Sequence, residues 1–177
     1  MKRRIVIIIG SASDLKQCLP GLEFLKNHPE VEVIGVYIRS IHRNTEATLS
    51  LLRRLSKGNM DIETAIIGAG WANHLTGTCD AYLRYELKDA KIRVIGVAFE
   101  DLGDETGRHN LAAQLSISEV PGTKVTYKDG ECFFSGKDGF LLACQLAAQG
   151  GLPEIVLPKP KETADLRLEE AIEMAKS

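Results

Sequence analysis

Ser40-Ile41-His42-Arg43, followed by Asn44, sets a titratable imidazole beside a permanent cation. Imidazole exchanges protons near neutral pH, and a guanidinium forks onto phosphate oxygens. A second stretch, Gly10-Ser11-Ala12-Ser13-Asp14, is a small-residue turn entering a helix, where N–H groups and hydroxyls can hold a phosphate. Asp14 can cap that helix or grip a sugar hydroxyl. The third, Gly68-Ala69-Gly70-Trp71-Ala72-Asn73-His74-Leu75-Thr76-Gly77, has glycines that let backbone approach a flat ligand closely. Two of them have plainer readings: a helix cap for Gly10 to Asp14 and a surface His-Arg pair for His42-Arg43. Together they support proton-transfer chemistry on a phosphorylated small molecule. A dinucleotide site is the obvious rival, but Asn73 stands where its third glycine belongs, and Glu86 lies too near and inside a predicted helix. A nucleophile elbow, a catalytic carboxylate pair, a P-loop and a lysine placed for Schiff-base work are all missing.

These stretches matter because of the elements before them. Ile5 to Ile9, Val31 to Ile38, Ile62 to Ile67 and Arg93 to Ala98 are short β-branched runs, and they read as strands. Helical patterns lie between them at Asp14 to Asn27, Thr45 to Lys57 and His74 to Leu87, with a kink or restart expected at Pro20. Near-continuous apolar strands alternating with amphipathic helices predict an α/β fold, a three-layer doubly wound parallel sheet of flavodoxin-like or Rossmann-like type. Ligands of such sheets bind outside the carboxyl ends of the strands, which is where the three stretches fall. Further on come an acidic loop from Glu100 to Gly107, a helix near Arg108 to Ser118, and a strand from Thr123 to Tyr127 turning at Asp129-Gly130 into Cys132 to Phe134. A buried helix follows over Lys137 to Gln149. The expected organisation is one α/β domain over 1–150, with 151–177 a proline-broken arm whose charged helix, Thr163 to Lys176, suits a neighbouring subunit.

Bulk properties narrow the partners. The 177 residues, 44% hydrophobic, suffice for one core, and a formal net charge of -2 leaves no electrostatic footprint for nucleic acid or an anionic membrane. No stretch approaches the roughly 20 apolar residues that span a bilayer. The basic-then-apolar start, MKRRIVIIIG, reads as a first strand rather than a leader, so a cytoplasmic protein is expected. Cys18, Cys79, Cys132 and Cys144 are scattered and read as plain thiols, while His28, His42, His74 and His109 lack metal-ligand spacing. No metal and no cofactor is signalled.

In order and spacing, GSxSD after the first strand, SxHR after the second and GAGxAxHLxG after the third resemble the PurE family. The resemblance runs from about Ile5 to Gln149, with weaker echoes at Leu115 to Gly122 and Gly139 to Ala148. Members interconvert N5-carboxyaminoimidazole ribonucleotide and 4-carboxyaminoimidazole ribonucleotide, or carboxylate aminoimidazole ribonucleotide with CO2, in purine biosynthesis. They use no metal or organic cofactor and are commonly octamers. The resemblance implies that Ser11, Asp14 and Arg43 hold the ribose phosphate, that His42 shuttles the proton, and that Ser13, Ser40, Ala69, Gly70, His74 and Leu75 shape the pocket. Arg43 and the His74-Leu75 pair resemble the mutase branch more than the animal carboxylase branch, which has lysine and a different third loop. Departures exist: Ile41 and Asn44-Thr45 replace Ala and Thr-Pro, and Trp71, Asn73 and Thr76 replace Gly, Ala and Pro. An indole at Trp71 either crowds the slot or turns outward onto a neighbouring subunit. A CO2-dependent carboxylase, an enzyme with another phosphorylated substrate, a non-catalytic phosphosugar-binding paralogue and a nucleotide-binding interaction module are the alternatives.

Overall fold

Five consecutive residues of the first strand, Ile5 to Ile9 in β1 (Arg3–Ile9), have no exposed surface. Successive side chains of a strand point to opposite faces, so such a strand must be covered on both. Ile5, Ile7 and Ile9 pack with Cys18 and Leu25 of α1 (Leu15–Lys26) and with Phe140, Ala143 and Cys144 of α5 (Gly139–Gln149). Val6 and Ile8 pack the other way, with Leu51, Leu52 and Leu55 of α2 (Thr45–Lys57) and Leu75 and Cys79 of α3 (His74–Ala81). The structure, a computed structural model, describes residues 2–120 and 132–177.

β1 pairs in parallel with β2 (Val31–Ile38) on one side and β3 (Thr64–Ala69) on the other. Beyond β3 lie β4 (Arg93–Ala98) and β5 (Phe133–Ser135), also parallel, giving the order β2-β1-β3-β4-β5. With helices on both faces, this is the flavodoxin-like α/β arrangement. Its strand order reverses between β1 and β3, which opens a crevice there. α4 (Arg108–Ser118) covers the far end of the sheet through Ala113 and Ile117, against Ala98.

The N-terminal basic-apolar run forms β1, an interior strand of the sheet. Among the described residues no helix is long and apolar enough to cross a membrane. Three details differ from the sequence reading. α1 runs through Pro20 without a restart; Pro20 and Lys16, whose carbonyl loses its intrahelical donor, are both exposed, so water can satisfy that oxygen. The third helix changes at Tyr82–Glu86 into a wider π turn containing the fully buried Arg84. Its guanidinium donates to the carbonyls of Asp89 and Ile92, both at 2.6 Å, and pairs with Asp80 at 3.1 Å, tying the helix end to the start of β4. The strand at Phe133–Ser135 joins β4 in parallel, while the expected strand at Thr123 to Tyr127 lies outside the described residues. Cys18, Cys79 and Cys144 are buried free thiols; burial pushes Cys18 up to about 12 and raises the other two as well.

Residues 151–167 form no regular element, and α6 (Leu168–Lys176) buries no side chain. The helix starts five residues after the expected Thr163, at a point where the Glu170 carboxylate accepts the Arg167 N–H at 2.7 Å.

The carboxyl ends of β1 and β3 approach closely. A methyl group on Gly10 would sit 2.6 Å from the Ala69 Cβ. Gly10→Ala should therefore destabilise by about 1–3 kcal/mol in urea unfolding, and adding Ala69→Gly should recover most of the loss.

Candidate active site

All five strands are parallel, so their carboxyl ends share one edge of the sheet. The loops leaving β1, β2, β3 and β4 there surround a cavity of about 830 Å³, within the usual range for small-molecule sites. Its walls include Ser11, Ser13, Asp14, Ser40, His42, Arg43, Ala69, Gly70, His74 and Leu75, every residue singled out from the sequence. The fourth loop, Glu100 to Gly103, also lines it, as do Lys16, Gln17, Ile41, Trp71 and Ala72. These were not assigned to the pocket from sequence. The signal available was the strand-end rule applied to β4 as well, since β4 ends at the same edge.

After β2 the chain turns before α2, and the turn is fixed from beneath. Ile41 is buried in the core of the α2 face, and its carbonyl accepts the Thr45 hydroxyl at 2.5 Å. The Asn44 amide oxygen accepts the Ser40 N–H at 3.3 Å, and the Ser40 hydroxyl accepts the Arg43 N–H at 3.3 Å. With Ile41 pointing in, His42 and Arg43 are left exposed at the cavity. His74 opens α3 on the opposite side. The two rings meet: His42 Nε2 lies 2.9 Å from His74 Nδ1, with ring centroids 5.0 Å apart at 67°. A hydrogen bond at this contact needs a proton on one facing nitrogen and a lone pair on the other, which links the loop after β2 to the start of α3.

Across the cavity the Ser13 hydroxyl lies 2.9 Å from the Ser11 Oγ and 3.4 Å from an Asp14 carboxylate oxygen. Burial raises the Asp14 carboxyl above its ordinary value, against hydrogen bonds from Ser13 and from the backbone of Ser11 and Gly70. The Ser11 and Ser13 hydroxyls and Arg43 thus line the same cavity.

Of the third loop's first two glycines, Gly70 lines the cavity and Gly68 serves packing. Gly68 faces the protein, since a Cβ there would meet the Phe99 ring at 2.7 Å and the Val97 carbonyl at 2.9 Å. Asn73 points inward and is fully buried. Its amide donates to the Val97 carbonyl at 2.9 Å, and its oxygen accepts the Thr76 N–H at 3.1 Å, capping α3. The Thr76 hydroxyl sits 2.9 Å from the Ile67 carbonyl. Asn73 and Thr76 replace Ala and Pro of the pattern together, and the reason is visible: proline brings no N–H to be capped, whereas Thr76 does. Trp71 stacks on His109 of its own chain, with centroids 4.1 Å apart at 16°.

The acidic loop spends its carboxylates on its own shape. Asp101 accepts from His109 Nδ1 at 2.8 Å and from the Gly103 N–H at 3.0 Å. Asp104 accepts the Thr106 hydroxyl at 2.6 Å and the Thr106 N–H at 3.1 Å. These bonds hold both carboxyls below the ordinary range, led by the His109 ring for Asp101 and the Thr106 side chain for Asp104. Their stabilisation of the loop is complete above the unfolded carboxylate value and is lost as pH falls through the lowered one. The loop is docked by Gln17, whose amide donates to the Glu100 carbonyl at 2.8 Å and accepts the Glu100 N–H at 3.0 Å. Among the described residues no group of three or more His, Cys, Asp or Glu is placed to hold a metal ion.

A parallel α/β sheet with a histidine contact and a cavity lined by hydroxyls and an arginine at its switch point is the arrangement in which doubly wound folds bind small molecules. The chain matches the AIR carboxylase family over residues 4–131 and belongs to that family, whose members carry out carboxylation or carboxylate migration in purine biosynthesis. No curated protein matches it.

Removing the buried cap should be felt in folding. Asn73→Ala strands the Thr76 N–H and removes the side-chain bond to the Val97 carbonyl, and a loss of about 1–3 kcal/mol in chemical unfolding is expected.

Proposed function

We propose that this protein interconverts N5-carboxyaminoimidazole ribonucleotide and 4-carboxyaminoimidazole ribonucleotide. The observation that carries the reading is the 2.9 Å contact between His42 and His74 inside a cavity that also holds Ser11, Asp14 and Arg43. In the forward direction the bond between the exocyclic nitrogen and its carboxylate breaks, CO2 departs, and the bonding electrons stay on nitrogen. Protonated His42 delivers a proton there. The ring carbon, now electron-rich, attacks CO2, and neutral His42 removes the proton from that carbon. Carbon dioxide has moved from nitrogen to carbon and one proton has moved the opposite way, so the protein returns to its starting state.

Each residue has a part in this scheme. Ser11, Asp14 and Arg43 hold the ribose phosphate, Ser13 and Ser40 set the loop geometry around it, and Ala69, Gly70 and Leu75 form the apolar wall that confines CO2. His74 orients His42 and shares its proton. Retention of arginine at position 43 favours the mutase over a CO2-dependent carboxylase.

His42→Asn should fold and bind ligand while turnover falls about 10²–10⁴-fold, because asparagine fills similar space but exchanges no proton near neutral pH. His74→Asn should lose less. Arg43→Ala should instead weaken binding of the phosphorylated substrate by about 1.5–3 kcal/mol, read by calorimetry. Near-normal turnover in His42→Asn would rule this mechanism out, and turnover of aminoimidazole ribonucleotide only with added bicarbonate would favour the carboxylase.

We also propose that the protein works as a homo-oligomer, an octamer, with residues 151–177 docking on a neighbour. The support is α6, which leaves Leu168, Ile172 and Met174 exposed. Deleting residues 152–177 should lower the mass measured by light scattering; a monomeric mass before and after deletion would defeat the idea.

A further inference from the structure

Trp71 occupies its position against two ordinary preferences. Its backbone is left-handed, with φ 55°, a conformation that costs a bulky side chain and costs glycine nothing. Its indole is 62% exposed, so burial in the core does not repay that cost. The ring is nevertheless held in place. One face stacks on His109, whose Nδ1–H is bound by the Asp101 carboxylate at 2.8 Å, and the Asp101 N–H in turn donates to the Asn110 side-chain oxygen at 2.7 Å. Trp71 is among the residues that line the cavity and His109 is not, so His109 backs the indole from outside the lining.

A rigid, backed aromatic surface beside an anion cradle is the pairing that recognises a flat heterocycle carrying a phosphorylated sugar. We propose that Trp71 is a stacking platform for the heterocyclic ring of the substrate, with His109 and Asp101 as positioning residues that hold the indole ready. The proposal rests on the functional reading above only in taking the ligand to be a heteroaromatic ribonucleotide. Preorganisation is the purpose of the backing: an indole already fixed loses little freedom when the ring lands on it. The strained backbone is then accounted for by binding rather than by folding.

Trp71 is the only tryptophan in the chain, so indole emission reports on this one residue. The full chain would be titrated with aminoimidazole ribonucleotide and, separately, with ribose 5-phosphate, following fluorescence and calorimetry together. The ribonucleotide should quench the emission, whereas ribose 5-phosphate should bind and leave it nearly unchanged. Trp71→Gly, which suits the left-handed backbone and so should fold at least as well, should bind the ribonucleotide about 5- to 20-fold more weakly while keeping its affinity for ribose 5-phosphate. Trp71→Phe should keep most of the affinity. His109→Ala should weaken the ribonucleotide selectively and reduce the quenching at saturation, a spectroscopic change that loss of general stability would not produce.

Ribonucleotide binding without a change in emission, equal affinity in Trp71→Gly, or no ribonucleotide binding at all would each overturn the platform. Turnover is read separately. Quenching without turnover would sink the mutase reading and leave the platform standing, and turnover without quenching would do the reverse.

Discussion

The hydrogen bonding at the end of β1 governs the site. The Ile9 carbonyl accepts the Arg39 N–H at 2.8 Å, and the Gly10 N–H donates to the Gly68 carbonyl at 2.9 Å. Three chain segments are therefore stitched together at the point where their loops separate. Because β1 is buried on both faces, it can offer no chemistry along its length, and everything reactive must stand on the loops beyond it. The 2.9 Å meeting of His42 and His74 follows from this arrangement, since one loop departs from each neighbour of β1.

Two groups of departures from the family pattern form compensated units. Asn73 and Thr76 form a buried cap in which each polar group answers the other, so the helix that carries His74 keeps its start. Trp71, His109 and Asp101 form the second unit, which joins the third loop to the fourth across the mouth of the cavity. Both units sit on the rim or beneath it. The residues proposed for phosphate binding and proton transfer keep the pattern's residue types.

Electrostatics here are local. A chain with a formal net charge of -2 binds an anion only by aiming particular donors at it, and Ser11, Ser13 and Arg43 line one cavity. The nearby carboxylates differ according to their surroundings. Asp14 is raised by burial, whereas Asp101 and Asp104 are lowered by hydrogen bonds that also shape the loop.

The strands at 31–38 and 93–98 and the helices at 45–57 and 108–118 were legible in the sequence residue for residue, and the other main elements within a few positions. The reason is that periodicity records which faces are buried, and a parallel sheet buried on both faces leaves the plainest record of all. The three loops that carry the ten candidate pocket residues were legible for a related reason, since strand-end loops must share one edge once the strands are parallel, while the individual residues came from the family resemblance. Tertiary structure alone decided the contacts between loops far apart in sequence. Nothing local tells that His42 and His74, 32 positions apart, meet, that Gln17 clamps Glu100, or that Trp71 rests on His109. Propensity and pattern act over a few residues, while these contacts depend on the order in which strands lie side by side. That order, β2-β1-β3-β4-β5, exists only when the whole sheet has formed.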